Sequence, residues 1–293
     1  PKGCYNFYIS VTFHSQGSLI VTAIMLGSYC TISLLSATKL SKDMNDEAPF
    51  FITGSEQKGP WLVACDHARN HVPHTVNGGS LGLPPEEMCR HIAYDVGAED
   101  LSLALGKRLR APVLCSNFSR LVIDPNRGED DPTLLMKFYD GTIIPANRHA
   151  DATEVERRLE VYHRPYHEAY DRLATPDRAI IAVHSFTPQL KGRRSRSWEI
   201  GILFAQDQRL ADPTIARLQA RGDLTVGINE PYDGHLPGDS IDRHALRTGR
   251  LNILIEIRND LIRTPKNRKA WVQILAPILE QALATTQIPH AGD

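Results

Sequence analysis

The chain has 293 residues, of which 42% are hydrophobic and 23% are charged, a composition typical of globular domains. With 33 Lys and Arg against 34 Asp and Glu, the net charge is −1, which excludes a chain-wide basic surface for nucleic acid. The five cysteines have no CxxC spacing, so they predict free thiols in a reducing compartment rather than a disulfide framework.

The first 58 residues are interpreted as an N-terminal extension with a linker. Residues 17–37 are apolar or small, which is the pattern of a membrane-spanning or exported segment; the alternative is a pair of Ser/Thr-rich strands. Ser, Thr and Tyr interrupt this run, and Lys2 is the only Lys or Arg before it. We therefore expect a cytoplasmic protein without a membrane partner. Residues 39–58 are charged and polar and predict a linker, which places the organised domain at 59–293.

From residue 59 onward, short apolar runs alternate with amphipathic segments. The predicted strands are, in chain order, Trp61–Cys65, Pro112–Cys115, Leu121–Ile123, Ala179–Val183, Trp198–Phe204, Leu224–Ile228 and Asn252–Ile257. The predicted helices are Pro85–Leu109, Ala152–Leu173 with a bend at Pro165, and Ala270–Ala284. This alternation predicts a three-layer α/β domain, with a mostly parallel or mixed sheet and helices on both faces.

Three side chains with useful chemistry stand at, or one residue inside, the carboxyl ends of predicted strands: His67, His184 and Glu256. Ligands of open α/β sheets bind beyond these ends, so we expect the three to share a cleft. Two imidazoles and a carboxylate bind a catalytic zinc, and a further carboxylate moves the proton. This pattern favours His67 and His184 as metal ligands and Glu256 as the proton carrier. The alternative is that each histidine caps a strand end and that Glu256 pairs with an arginine such as Arg258.

Several separate segments, in chain order, resemble the N-formylglutamate amidohydrolase family over about Trp61 to Leu283. They include ACDHARNHVP, SRLVIDPNRGEDDPT, YHRPYHEAYDRL, AVHSFTP, NEPYDG, SIDRHALRTG and IEIRNDLI. The resemblance implies a zinc carboxypeptidase/phosphorylase-hydrolase-like fold with one zinc ion. It also implies hydrolysis of the amide bond of an N-formyl or N-acyl amino acid. With N-formylglutamate, the products would be formate and glutamate, as in histidine catabolism.

The same resemblance implies roles for individual residues. HSF at His184–Phe186 is similar to the HSY of zinc carboxypeptidases, whose histidine binds zinc. EIRND at Glu256–Asp260 is similar to the ELRD that carries their catalytic glutamate. DPNR at Asp124–Arg127 is similar to the DxNR of aspartoacylase-like relatives, in which the Asn and Arg hold substrate.

The third metal ligand is open between two residues. DHARN at Asp66–Asn70 occupies the place of the HxxE zinc motif, but it has Asn70 where carboxypeptidases have Glu, and a neutral amide is a poorer zinc ligand. Asp95 is predicted to open the helix after the His67 loop and resembles the helix-start Glu of zinc-dependent cell-wall amidases. A helix N-terminus favours a carboxylate. We prefer Asp95, with a metal-free helix N-terminal carboxylate as the alternative.

The implied partner is a small anionic N-acyl amino acid, and its carboxylate is best held by arginine. Asn126 and Arg127 are the first candidates, followed by Arg120 and then Arg243, and Ser185 is a candidate hydrogen-bonding group. The alternative for the arginines is an ordinary surface ion pair. The oligomeric state is not predicted.

Two other functions are open at this point. One is a different zinc amidase, which acts on other N-acyl amino acids or on a cell-wall amide. The other is a metal-free binding protein on the same fold, which is an alternative because Asn70 stands where carboxypeptidases have a zinc-binding Glu.

His163 and His167, four residues apart, would share a helix face and could bind metal. We interpret them as packing residues, because Pro165 lies between them and tyrosines flank them.

Overall fold

The computed structural model describes the backbone of residues 8–13, 19–25 and 28–29 and the whole of residues 47–286. The chain divides into two compact units, Pro1–Ala48 and Pro49–Asp293. In the first unit, strands β1 (Tyr8–Phe13), β2 (Leu19–Met25) and β3 (Ser28–Tyr29) form an antiparallel sheet. This agrees with the strand alternative for part of the apolar run at 17–37; the rest of that run lies outside the described residues. In the described part of the chain, every helix is too short or too polar to cross a bilayer.

A mixed sheet of seven strands forms the centre of the second unit. The strands of this unit are β4 (Phe50–Thr53), β5 (Trp61–Cys65), β6 (Val113–Ser116), β7 (Phe138–Tyr139), β8 (Thr142–Ile143), β9 (Ala179–Phe186), β10 (Ile200–Leu203), β11 (Val226–Ile228) and β12 (Asn252–Arg258). The order in the sheet is β11-β10-β12-β9-β5-β6-β4, and β7 and β8 form a separate hairpin. Strands β12, β9, β5 and β6 are parallel to one another, whereas β10 runs antiparallel to β12 and β4 antiparallel to β6.

Helices cover both faces of this sheet. They are α1 (Pro85–Met88), α2 (Ala98–Leu109), α3 (Pro145–Arg148), α4 (Ala152–Arg158), α5 (Arg164–Leu173), α6 (Ala211–Gln219), α7 (Ser240–His244) and α8 (Pro265–Thr285). Trp61 and Val63 of β5 pack in a core with α2, α6 and α8, and Leu62 and Ala64 pack in a second core with α5 and α7. All of β5 is therefore buried, as expected of a strand covered on both faces. The three-layer α/β prediction is confirmed.

Three predicted elements differ from the structure. The residues Leu121–Ile123 are buried but do not form a strand: Leu121 and Val122 lie in a turn, in which Val122 N donates to Ser119 O. The predicted helix Pro85–Leu109 is two helices, because Gly97 takes a left-handed φ of 84° immediately before α2. A Cβ at this glycine would lie 2.8 Å from the carbonyl oxygen of Ile262. Strand β4 falls inside the predicted linker and pairs with the edge of β6, so the sheet includes part of residues 39–58.

The predicted helix Ala152–Leu173 contains a π turn. Leu159–His163 forms this turn between α4 and α5. Pro165 lies in the first turn of α5, where its missing N–H cannot donate to the preceding turn. The predicted distortion at Pro165 therefore appears as a π turn directly before it.

The strand order brings the predicted site residues to one edge of the sheet. Strands β12, β9 and β5 are neighbours, and Glu256 and His184 are register partners. His67 lies just beyond the carboxyl end of β5. Parallel strands share their carboxyl edge, so these three residues meet there.

Candidate metal centre

Three buried side chains form a group that fits a metal ion: His67, Asp95 and His184. One ligand atom from each lies within 4.8 Å of the others. Oδ2 of Asp95 is 3.4 Å from Nδ1 of His67 and 2.9 Å from Nδ1 of His184. Two imidazole nitrogens and one carboxylate oxygen around an open position are the protein ligands typical of catalytic zinc. The chemistry of this donor set therefore fits a divalent cation.

Asp95 reaches this group from a turn. Its N–H donates to the carbonyl of His67 at 2.8 Å, which ties the turn to the loop after β5. It lies before α2 rather than opening it, so the predicted helix-start position of Asp95 is wrong, although its side chain faces both imidazoles. The amide of Asn70 instead donates to the carbonyl of Met88 at 2.8 Å. The geometry favours Asp95 over Asn70 as the third ligand.

Each imidazole also has a carboxylate close to its other ring nitrogen, Nε2. Nε2 of His67 is 2.7 Å from Oδ1 of Asp124, and Nε2 of His184 is 3.3 Å from Oδ2 of Asp66. Both carboxylates are fully buried. Such partners fix the orientation of a metal-binding histidine and direct its other nitrogen to the ion. Sequence reasoning missed both Asp66 and Asp124 in this role; the available signal was their position inside the DHARN and DPNR motifs.

The imidazoles and carboxylates of the group shift one another's pKa values. Burial disfavours the charged form of Asp95, but the two imidazoles outweigh this effect and hold the pKa of Asp95 well below its usual range. Burial likewise opposes a charge on His184, yet Asp66 and Asp95 raise its pKa well above the ordinary value. The carboxylates thus favour positive charge at this position, and a metal ion that binds there takes the place of the proton on His184.

Glu256 faces the same region from β12. Its carboxylate is buried, and Oε2 has no hydrogen-bond partner in the described part of the chain. Burial, together with the negative charge of Asp95, raises the pKa of Glu256 to about 8, although His184 and Arg120 act in the opposite direction. A buried carboxylate with an uncommitted oxygen beside a cation site is suited to proton transfer.

We expect Glu256→Gln to stabilise the metal-free protein at alkaline pH. Because the folded-state pKa of about 8 exceeds the ordinary value of 4.5, the neutral carboxyl contributes stability below the ordinary value. This contribution is lost as the pH rises through about 8. The glutamine variant does not titrate, so above this pH its melting temperature should exceed that of the wild type by roughly 3 °C or more. Thermal unfolding of chelator-treated proteins from pH 5 to pH 10 measures the difference.

The same scan contains its own control. Near pH 5 the wild-type carboxyl is largely neutral, so the two melting temperatures should converge there. A difference that is constant with pH, or a glutamine variant that is less stable at alkaline pH, would contradict the burial argument for Glu256.

The candidate centre opens into a cavity of about 270 Å³. Its wall combines charged, aromatic and apolar side chains: His91, Arg120, Asn126, Arg127, Tyr139, Phe186, Leu203, Tyr232, His235, Leu236 and Leu254. This volume suits a small molecule. In the described part of the chain, this is the cavity that contains both the metal group and Glu256.

Arg120 lies beside the metal group. Its Nη2 donates to Oδ2 of Asp124 at 2.6 Å, and its Nη1 is 3.6 Å from Oδ1 of Asp95. Burial opposes its charge, but Asp124 raises the pKa of Arg120 far above the ordinary value. Arg120 therefore stays cationic at the cavity wall.

Asn126 and Arg127 line the cavity from the loop after Asp124. Oδ1 of Asn126 accepts from the N–H of Ser240 at 3.1 Å, which leaves its amide NH₂ as a donor. Nε of Arg127 donates to Oγ1 of Thr133 at 3.0 Å, and Nη1 donates to the carbonyl of Asn126 at 2.7 Å. The guanidinium is thus held at the wall by its own loop.

Two predicted substrate groups lie differently from expectation. Arg243 does not line the cavity; its Nη2 is 3.4 Å from Oε1 of Glu129, since the short helix α7 directs it to that ion pair. The prediction that Arg243 binds substrate is therefore not supported by its position. Ser185 does reach the cavity wall, but its hydroxyl donates to the carbonyl of Val96 at 3.0 Å, which leaves it only as an acceptor.

Comparison with known proteins gives a consistent result. A family model described as N-formylglutamate amidohydrolase matches residues 59–263. The crystal structure of gene product Atu2144 from Agrobacterium tumefaciens is 32% identical, covers 82% of this chain and 97% of its own, and has a TM-score of 0.77. The N-formylglutamate amidohydrolase from Ralstonia eutropha JMP134 is 21% identical, covers 81% and 99%, and has a TM-score of 0.53, so it shares the fold. No curated protein matches the chain significantly.

Proposed function

The chain belongs to the N-formylglutamate amidohydrolase family, and we propose that it is a zinc-dependent enzyme that hydrolyses the amide bond of an N-formyl or N-acyl amino acid. The observation that carries this proposal is the buried His67, Asp95 and His184 group in one cavity with Glu256. All four residues lie within the part of the chain that matches the family. The favoured substrate is N-formylglutamate, with formate and glutamate as products.

The residues of the centre divide the chemistry between them. Nδ1 of His67, Nδ1 of His184 and Oδ2 of Asp95 would hold the ion. When bound, zinc supplies Lewis acidity, which polarises the amide carbonyl and lowers the pKa of water. Glu256 accepts a proton from the attacking water at a carboxylate oxygen and delivers it to the nitrogen as the C–N bond breaks. Burial of this carboxylate favours the protonated form between these two steps.

The cationic wall of the cavity supports an anionic substrate. Asn126 and Arg127 present an amide and a guanidinium, which together can hold a carboxylate by charge-assisted hydrogen bonds. Arg120 adds positive charge beside the centre, although Asp124 occupies two of its donors. An N-acyl amino acid fits this combination, because its carboxylate and its amide are separated by one carbon.

A hydrolysis screen tests the proposal. Chelator-treated protein is assayed with formyl, acetyl and longer acyl derivatives of glutamate and of apolar amino acids, with and without added zinc. We expect amine release from N-formylglutamate, its loss after chelation and its return with zinc. Metal content is measured in parallel on protein purified without an affinity tag.

The screen also separates the alternatives. Turnover of acetyl or longer acyl substrates alone would favour a different zinc amidase. Absence of bound metal and of any turnover would favour a metal-free binding protein. That last alternative depended on Asn70, and the position of Asp95 beside both histidines supports the enzyme instead.

Arg127→Gln should weaken substrate binding with little effect on the chemical step. The loss of a charge-assisted carboxylate contact is expected to raise KM by roughly tenfold to a hundredfold. The matched control is Arg243→Gln, which removes an arginine from the neighbouring surface but not from the cavity. Steady-state kinetics measure both variants. An equal rise of KM in the two, or none for Arg127→Gln, would contradict the assignment.

A further inference from the structure

One helical segment supports the loop that carries Asn126 and Arg127. Three buried or largely buried side chains of this segment donate to main-chain oxygens of residues 122–127. The contacts are Arg158 Nη1 to Val122 O at 2.8 Å, His163 Nε2 to Arg127 O at 2.9 Å and His167 Nε2 to Pro125 O at 2.9 Å. Three hydrogen bonds from this helical segment thus fix the main chain of the loop.

The π turn explains how three donors can face one loop. Arg158 and His163 are five residues apart, and in an α-helix they would point about 140° away from each other. The π turn at Leu159–His163 closes after five residues, so Arg158 and His163 come to the same face. His163 and His167 are then one α-helical turn apart, with ring centroids 4.4 Å from each other. The irregular turn therefore aligns the donors.

The two histidines are donors through Nε2. A carbonyl oxygen only accepts hydrogen bonds, so each Nε2 carries the hydrogen. Nδ1 of His167 is 2.8 Å from Nε2 of His244, whose Nδ1 lies 2.7 Å from Oδ1 of Asp171. Nδ1 of His163 is buried without a hydrogen-bond partner in the described residues. Burial lowers the pKa of both rings, which is consistent with neutral imidazoles.

We propose that His163 and His167 are positioning residues, which hold the backbone of Pro125–Arg127 so that Asn126 and Arg127 face the cavity. The inference rests on the proposed function, since it takes these two residues to bind the substrate carboxylate. Without the imidazole donors, the two carbonyls would lose their partners, and the loop would rearrange toward other donors or water. His163 and His167 thus influence the substrate site by fixing the main chain of the loop that carries Asn126 and Arg127.

The first test does not use substrate. His163→Phe and His167→Phe remove the donors and keep planar rings, whereas His163→Gln and His167→Gln can keep a donor near the Nε2 position. Hydrogen–deuterium exchange is followed in peptides that cover residues 124–131. We expect exchange there to be roughly tenfold faster in the phenylalanine variants and near the wild-type rate in the glutamine variants. Leu279→Ala, which removes a buried side chain from α8 in the core shared with α2 and α6, controls for general destabilisation.

The second test is kinetic. The phenylalanine variants should raise KM by roughly tenfold and change kcat by less than about threefold, because the loop binds rather than reacts. The glutamine variants should restore most of the affinity, and Leu279→Ala should lower the melting temperature without a change in KM. In an Arg127→Gln background, His163→Phe should raise KM further only slightly, since both changes act on one contact.

Unchanged exchange and unchanged KM in the phenylalanine variants, with only a lower melting temperature, would overturn the inference. If a phenylalanine variant does not fold, His163→Asn, whose amide is too short to reach the carbonyl of Arg127, gives the same comparison. A wild type without hydrolytic activity would overturn the proposed function alone, because the exchange measurement is independent of substrate.

Discussion

Glu256→Gln is expected to lower kcat by roughly a hundredfold to ten-thousandfold while the protein keeps its metal. The substitution removes a proton acceptor and preserves the size of the side chain. Because Glu256 is not a member of the His67, Asp95 and His184 group, the metal ligands remain intact. The effect should therefore appear in kcat and kcat/KM together, as for an interaction made in the transition state.

The position of Glu256 makes this effect large. It lies directly opposite His184 on the neighbouring strand, at the edge where the metal group opens into the cavity. The wall of the cavity also contains the carboxylates of Asp95, Asp233 and Asp239. Asp95 is committed to two imidazoles, Asp239 caps helix α7 by accepting from the N–H of Asp242, and Asp233 is exposed to solvent. Glu256 is thus the carboxylate best placed to exchange a proton.

The matched control is Glu230→Gln. Glu230 lies on the loop after β11 and does not line the cavity, so its neutralisation should leave kcat unchanged. Metal content of all three proteins is determined by elemental analysis before the assay. Near-normal turnover by Glu256→Gln, or loss of its metal, would refute the assignment of Glu256 as the proton carrier.

The convergence of distant residues could be predicted from the sequence because strands leave a clear pattern. The buried runs before His67, His184 and Glu256 are short, apolar and separated by helical segments, which predicts parallel strands with a common carboxyl edge. The structure has β5, β9 and β12 side by side, as this logic requires. The roles of the three residues stay predictions.

Contacts made across irregular segments could not be predicted in the same way. Asp66 and Asp124 face the imidazoles because a turn and a loop orient them, and neither has a periodic pattern. Arg243 was selected by residue type, but the capped helix α7 places it in an ion pair with Glu129. The π turn lies directly before Pro165, and the side chains of Arg158, His163 and His167 around it contact the 122–127 loop. Sequence spacing alone describes α-helical and strand periods, and these features follow neither.

Asp95→Asn is expected to lower zinc affinity by more than about a hundredfold. Loss of a residue that only hydrogen-bonds to a metal ligand typically lowers affinity by about tenfold to a hundredfold, and loss of a ligand should cost at least as much. Turnover should fall with metal occupancy. The change preserves the shape of the side chain but replaces the carboxylate between His67 and His184 with a neutral amide, a poor zinc ligand. Competition with a chelating dye measures the affinity, and added zinc should restore activity only at high concentration.

Asn70→Ala is the matched comparison, because Asn70 occupies the motif position at which carboxypeptidases place a zinc ligand. Its amide donates to the carbonyl of Met88 and is not a member of the metal group. Asn70→Ala should lower the melting temperature slightly, since a partly buried hydrogen bond contributes about 1 kcal/mol. Zinc affinity should be unchanged, because no member of the metal group is altered. The opposite ranking, with zinc lost in Asn70→Ala and retained in Asp95→Asn, would show that the loop after β5 rearranges to bind the ion. In that case the carboxylate of Asp95 would serve only to orient the two histidines.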